Sequence, residues 1–249
     1  MVLVLAVTGC AATASAGLAT EEVTPGTCRM KSTAEEMVSP SDVSPPVSCS
    51  APHTLEAYAV STAPASLSAL GPERPGPEVL AAHSEGLCPV APIRPYLGAT
   101  DLDNQWGINV WVKFPTRAEW ADGVRTVVCD LVVSAPAGQV PWIDVPLEGV
   151  MAYRDSDRVR LCRTGADVAE WTTCDQPHTG ERVGDVDASL SVAGRQQACA
   201  ALAERYVGAP LGEGLTAGVT VGDLGVAECW IDHHDGPVLG TVRGGLVAR

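Results

Sequence analysis

Cys49-Ser50-Ala51-Pro52-His53-Thr54-Leu55-Glu56 returns later in the chain as Cys174-Asp175-Gln176-Pro177-His178-Thr179-Gly180-Glu181. Both stretches read Cys-x-x-Pro-His-Thr-x-Glu. Each sits inside a matching frame of four cysteines: Cys28, Cys49, Cys88 and Cys129, then Cys162, Cys174, Cys199 and Cys229. In each frame the second cysteine opens the motif. The third precedes a Tyr-x-Gly-Ala, Tyr96–Ala99 in one case and Tyr206–Ala209 in the other. Repetition of this kind marks a duplicated structural unit. The chain therefore divides into two modules, 26–152 and 153–249, the second shorter between its second and fourth cysteines.

The 249 residues suffice for two ordinary domains. A net charge of −14 argues against nucleic-acid binding, which needs a basic footprint. Docking on anionic lipid by charge is disfavoured for the same reason. The acidity reads most simply as a solubilising surface. Only two lysines occur, Lys31 and Lys113; the remaining basic residues are arginines.

Eight regularly placed cysteines without Cys-x-x-Cys pairs read as a disulfide framework made in an oxidising compartment. Zinc would call for closer pairs with histidine partners. The ninth cysteine, Cys10, stands apart. Residues 1–10, Met-Val-Leu-Val-Leu-Ala-Val-Thr-Gly-Cys, form an apolar run too short to span a bilayer. It ends in small residues, as a secretory signal does. Val7-Thr8-Gly9-Cys10 resembles a bacterial lipobox, although no basic residue precedes the apolar run. The expectation is a signal peptide over 1–9, lipidation at Cys10, and a small-residue tether over 10–25 holding the modules off the outer face of the cytoplasmic membrane.

Alternation and composition place strands at Thr54–Val60, Ile108–Phe114, Val124–Val133 and Trp142–Val150 in the first module. A short helix starts near Pro77 and is ended by Pro89, Pro92 and Pro95. The second module has strands near Val159–Cys162, Glu170–Cys174, Glu181–Val186, Thr216–Val221, Val226–Ile231 and Val238–Val242. A helix over 192–207 is capped by Gly208. Ala198, Cys199, Leu202, Tyr206 and Val207 form its apolar face. The predicted class is α+β, two tandem disulfide-stapled modules, each a small antiparallel sheet with one helix. Four cysteines allow three pairings per module. The favoured pattern is Cys28–Cys49, Cys88–Cys129, Cys162–Cys174 and Cys199–Cys229, in which the second bond of each module ties helix to sheet.

Gly26-Thr27-Cys28, Cys49-x-x-Pro52-His53-x-x-Glu56, Cys88, Tyr96-x-Gly98 and Pro115-x4-Trp120-x2-Gly123-x-Arg125-x3-Cys129 together resemble the septum formation domain of actinobacterial envelope proteins. The resemblance covers most of 26–135 and, more weakly, 153–245, so that two tandem copies are expected. The family's usual Gly-Asp-Cys is Gly-Thr-Cys here and Arg160-Leu161-Cys162 in the second copy, which also lacks the Pro-Trp-Gly-Arg element. The resemblance implies an extracytoplasmic protein linked to septum formation.

The candidate chemistry is sparse. Pro52, His53 and Glu56, with Pro177, His178 and Glu181, form the motif. Histidine and glutamate three apart on a strand point to opposite faces, so joint acid–base action is not expected. Asp232-His233-His234-Asp235 offers imidazoles that suit a transition metal, but its Asp-Gly-Pro continuation reads as a turn. Asp101–Gly107 begins like a calcium loop, yet Trp106 stands where an EF-hand needs glycine. Trp106, Trp111 and Trp120 read as core, with a ligand or peptide groove as the alternative. No phosphate loop, nucleophile elbow or His-Glu-x-x-His is present. The sequence thus points to a non-enzymatic lipoprotein without cofactor or metal. Its expected partners are the membrane, through the lipid at Cys10, and an envelope protein or peptidoglycan-associated component. The alternative is an envelope hydrolase or metal-dependent enzyme using His53, His178 or Asp232–Asp235.

Overall fold

The computed structural model describes residues 22–103, 105–134, 140–165, 171–222 and 225–248. The expected signal segment, Cys10 and all but the last residues of the tether lie outside them.

Two five-stranded antiparallel sheets carry the fold. The first contains β1 (Cys28–Arg29), β2 (Pro46–Val47), β3 (Leu55–Thr62), β4 (Ile108–Lys113) and β5 (Thr126–Val133) in the order β2-β1-β3-β5-β4. The second contains β6 (Leu161–Arg163), β7 (Trp171–Thr173), β8 (Gly180–Val186), β9 (Leu215–Val221) and β10 (Ala227–His233) in the order β7-β6-β8-β10-β9. The orders are the same with five added to each label. Even the bulge repeats. Tyr58 is the extra residue between the β3–β5 pairs Ala57↔Asp130 and Ala59↔Cys129. Val183 is the extra residue between the pairs Arg182↔Trp230 and Gly184↔Cys229. Both follow the motif glutamate by two positions. A bulge bends the strand and re-aims the side chains beyond it.

Each sheet is crossed by disulfides in the favoured pattern: Cys28–Cys49, Cys88–Cys129, Cys162–Cys174 and Cys199–Cys229. In the second half, α6 (Val192–Val207) carries Cys199 and buries Leu202, Ala203 and Tyr206 against Val183, Cys229 and Ile231. Ser191 caps its start, accepting from the Gly194 amide, and Gly208 ends it with φ +78°. The first half divides the corresponding work among short helices: α1 (Ala34–Val38), α2 (Ala65–Ser68), α3 (Pro77–Ala82), α4 (Ile93–Leu97) and α5 (Arg117–Ala121). Here the structure differs from the expectation of a single helix. α3 ends at Ala82, capped by His83 and followed by Gly86 in the left-handed region at φ +75°, so it stops short of Cys88; the chain resumes as α4, whose Ile93 and Leu97 cover the sheet. The expected strands at 142–150 and 238–242 reduce to single bridges at Ile143 and Val238.

Period two places Val127, Cys129, Leu131 and Val133 on one face of β5, yet β5 is buried on both. Cys129, Leu131 and Val133 join Tyr58, Leu97, Leu147 and Val159 in the main core. Val128 packs with Val23 and Ala57, and Val132 with Met37 and Leu55. The segment preceding β3 therefore forms a second cover, fixed by charge. Arg29 bridges Asp42 and Asp130, and Lys31 also pairs with Asp42. Lys113 donates to the carbonyls of Met37 (2.6 Å) and Ser39 (2.7 Å). Both lysines of the protein are thus buried.

The two halves meet through a short polar seam. Asp103 accepts from Arg160 Nη2 at 2.8 Å and from Arg243 Nε at 3.2 Å, both from the second half. The Gly107 amide donates to the Val159 carbonyl at 2.7 Å. Val159 itself packs in the first core, and Leu102 packs against the second.

Candidate functional site

The repeated motif builds the same enclosure twice. His53 precedes β3 rather than lying in it, and exchanges both backbone hydrogen bonds with Ile143 (2.8 and 2.9 Å). His178 does the same with Val238 (3.0 and 2.8 Å). Four residues beyond each bridge the chain returns to the motif glutamate. Glu56 Oε2 accepts from the Leu147 amide at 2.7 Å, and Glu181 Oε2 from the Val242 amide at 2.8 Å. Two residues further, the Gly149 amide donates to the Tyr96 carbonyl (2.8 Å) and the Gly244 amide to the Tyr206 carbonyl (3.0 Å). Segments 143–149 and 238–244 are therefore equivalent clasps, although they share little sequence beyond the closing glycine.

The tyrosines of the repeated Tyr-x-Gly complete the arrangement. Tyr96 Oη donates to Glu56 Oε1 at 2.7 Å, and Tyr206 Oη donates to Glu181 Oε1. Glu56 Oε1 takes a further bond from the Glu148 amide at 2.9 Å, and Thr241 Oγ1 donates to Glu181. Gly98 and Gly208 end their helices in the left-handed region, at φ +67° and +78°, which turns the chain away once the tyrosine is placed. Burial raises the carboxyl pKa of Glu56, but hydrogen bonds from His53, Leu147, Tyr96 and Glu148 outweigh it and hold the group below its ordinary range. Burial, with Glu56 beside it, pushes the Tyr96 hydroxyl upward.

Histidine and glutamate do come together, against expectation. His53 Nε2 lies 3.4 Å from Glu56 Oε2. Because His53 lies outside the regular strand, strand alternation does not separate the two side chains. In both halves Nδ1 faces the carbonyl two residues earlier, Ala51 at 2.9 Å and Gln176 at 2.8 Å. Pro52 and Pro177 occupy the intervening position. His53, His178, Glu56 and Glu181 are all essentially inaccessible.

The donor sets do not favour metal. Cys162, Cys174, His178 and Glu181 place ligand atoms within 4.8 Å of one another, as do Cys28, His53 and Glu56. The sulfurs are spent in disulfides and the carboxylates are held by backbone amides and hydroxyls, so no thiolate is available. The Asp232–Asp235 cluster disperses. Asp232 pairs with Arg163 (2.7 Å), His233 packs edge-on against His178, and His234 bonds Thr216 Oγ1 (2.9 Å). Asp103 of the calcium-like stretch is committed to Thr100, Arg160 and Arg243.

One position shows how the copies diverged. Arg29 in β1 pairs with Asp130, whereas Arg163, its counterpart in β6, stacks over the Trp230 ring at 4.4 Å and pairs with Asp232. Leu55 becomes Gly180, where an added Cβ would meet Asp232 Oδ1 at 2.7 Å and Arg163 Nε at 2.8 Å. Removing the side chain makes room for the rearranged pair.

An accessible feature lies elsewhere. A cleft of about 840 Å³ opens between the halves, lined from the first by Val133, Ser134 and Trp142 and from the second by Trp171, Thr172 and Gln176. Trp142 is 57% and Trp171 45% exposed. Sequence reasoning missed both. It fixed on Trp106, Trp111 and Trp120, which pack on three separate clusters and share no groove. Neither carried a local signal of its exposure in the sequence.

This is a tandem α+β protein stapled by four disulfides, with a buried carboxylate clasp in each half. A family model described as septum formation matches residues 25–230. The chain belongs to the septum formation family, which attaches it to a cell-division-related role in the cell envelope. The match runs as one stretch through both sheets. No curated protein and no solved structure matches the chain. Among the described residues no helix is long and apolar enough to cross a membrane.

Proposed function

We propose that this protein is a lipid-anchored, non-enzymatic binding module on the outer face of the cytoplasmic membrane, acting at the septum. The observation that carries this reading is the doubled clasp. The repeated histidine–glutamate pairs, His53 and Glu56, then His178 and Glu181, are each closed against their own disulfide and their own clasp segment. A catalytic site needs convergent groups opening on a cavity. Among the described residues these are closed from solvent, and they lie in separate halves rather than around one pocket. Four disulfides support an oxidising compartment. The lipobox-like Val7–Cys10 supplies the anchor.

Intact mass of the protein purified from its own membrane tests the reading. The expected species begins at Cys10, carries lipid, and has eight cysteines protected from alkylation until reduced. A Cys10→Ala variant leaves the membrane fraction. An unprocessed chain from Met1 with free thiols would overturn the assignment.

A further inference from the structure

We infer that the cleft between the two halves binds an uncharged oligosaccharide of pyranose units, with Trp142 and Trp171 as its stacking surfaces. The inference rests on the binding-module reading above and names its ligand class. Its volume of about 840 Å³ lies within the range of small-ligand sites, roughly 300–1,000 Å³. Exposed tryptophans are costly to leave in water, and two of them border this one cleft, one from each half.

The polar lining selects the ligand. Among the described lining residues, Ser134, Thr172 and Gln176 offer hydroxyl and amide groups, and the two charged ones, Arg158 and Asp175, cancel. Both charges are engaged within the protein, Arg158 with Asp144 and Asp175 with the Thr173 hydroxyl. An anionic polymer finds no surplus of positive charge here, and the chain as a whole would repel it at −14. A pyranose ring presents an apolar C–H face to an indole and a rim of hydroxyls to short polar side chains. An extended peptide would need a strand edge to pair with, and β7 at the edge of the second sheet is three residues long. Arg182 lies 5.5 Å from the Trp171 ring centroid and steadies the indole.

The test is tryptophan fluorescence and calorimetric titration of the full disulfide-bonded chain with chitotetraose and, separately, cellotetraose. Saturable binding of either supports the inference; a preference for the first identifies N-acetylated wall glycan as the source. Trp142→Ala and Trp171→Ala should each weaken binding by about tenfold while melting like the parent, and Trp171→Tyr should restore most of it. No binding of either sugar up to about 10 mM overturns the inference, as does binding that both alanine variants retain. A lipidated, fully bridged protein that ignores both sugars would sink the glycan assignment alone. An unlipidated chain with free thiols would sink the reading beneath it, whatever the titration gives.

Discussion

Tyr96 Oη donates to Glu56 Oε1 at 2.7 Å, and the counterpart bond from Tyr206 to Glu181 recurs in the other half. In each half a residue from a helix end meets one from the central part of the sheet, and a returning backbone segment closes over both. The glutamate therefore joins three pieces of chain distant in sequence.

Glu56→Gln should destabilise the protein by about 3 kcal/mol, because the amide nitrogen would face a backbone donor in a buried site. Tyr96→Phe should cost about 2 kcal/mol, the worth of one hydrogen bond to a charged acceptor. Urea unfolding with the disulfides intact measures both. Glu181→Gln and Tyr206→Phe should behave alike; an effect confined to one half would show that the two clasps are not energetically equivalent.

Acid should weaken the fold through the same group. Glu56, Asp42 and Asp103 are each raised by burial but lowered further by their partners, ending below the ordinary carboxylate range. The unfolded chain then binds more protons than the folded one through that window. Their stabilisation is full above the unfolded value, 4.5 for Glu56, and is lost as pH falls through the folded value. Glu56→Gln should flatten part of that acid limb in stability measured from pH 7 downward.

The alkaline side has the opposite slope. Burial lowers Lys113 from 10.5 to about 8. Between those values the unfolded lysine keeps a proton that the folded one has released, so stability should rise with pH by up to about 3 kcal/mol. Lys113→Met should abolish the rise. A wild-type stability that is flat or falling from pH 8 to 10 would contradict the buried environment of this amine.

Asp103→Ala strips the shared partner from Arg160 and Arg243. Arg160 is fully buried, so the loss should reach about 3 kcal/mol. Because Asp103 also ties the halves, calorimetry should show one transition splitting into two, with the second half melting first. A single transition at the parental temperature would mean that the Gly107–Val159 bond and apolar contact suffice to join them.

The disulfides should rank by loop length. Replacing Cys88 and Cys129 by serine opens a separation of 41 residues and should cost about 4 kcal/mol. Replacing Cys162 and Cys174 opens one of 12 residues and should cost about 3 kcal/mol. Denaturation of the two double variants gives the order directly.

Much of this was legible from spacing. The cysteine frame and the Pro-His motif announced two copies. The pairing of bridges followed from placing the third cysteine beside a helix and the fourth in a late strand. The helix 192–207 was readable because its interior lacks proline and its end carries Gly208. The first module was harder, since Pro89, Pro92 and Pro95 hide α4 while leaving Tyr96 in the same place as Tyr206. The histidine–glutamate approach was misread because strand alternation was applied to a residue just outside the strand. Trp142 and Trp171 were passed over because a tryptophan's exposure has no local signature.

By itself the sequence determined duplication, the disulfide framework and the α+β class, because these rest on local spacing and on cysteine chemistry. Tertiary structure alone decided the clasps. Segments 143–149 and 238–244 bind through backbone amides, and an amide is the same in every residue but proline. Their equivalence could therefore persist while their side chains diverged, and only the folded chain brings His53 to Ile143 and Glu56 to Leu147.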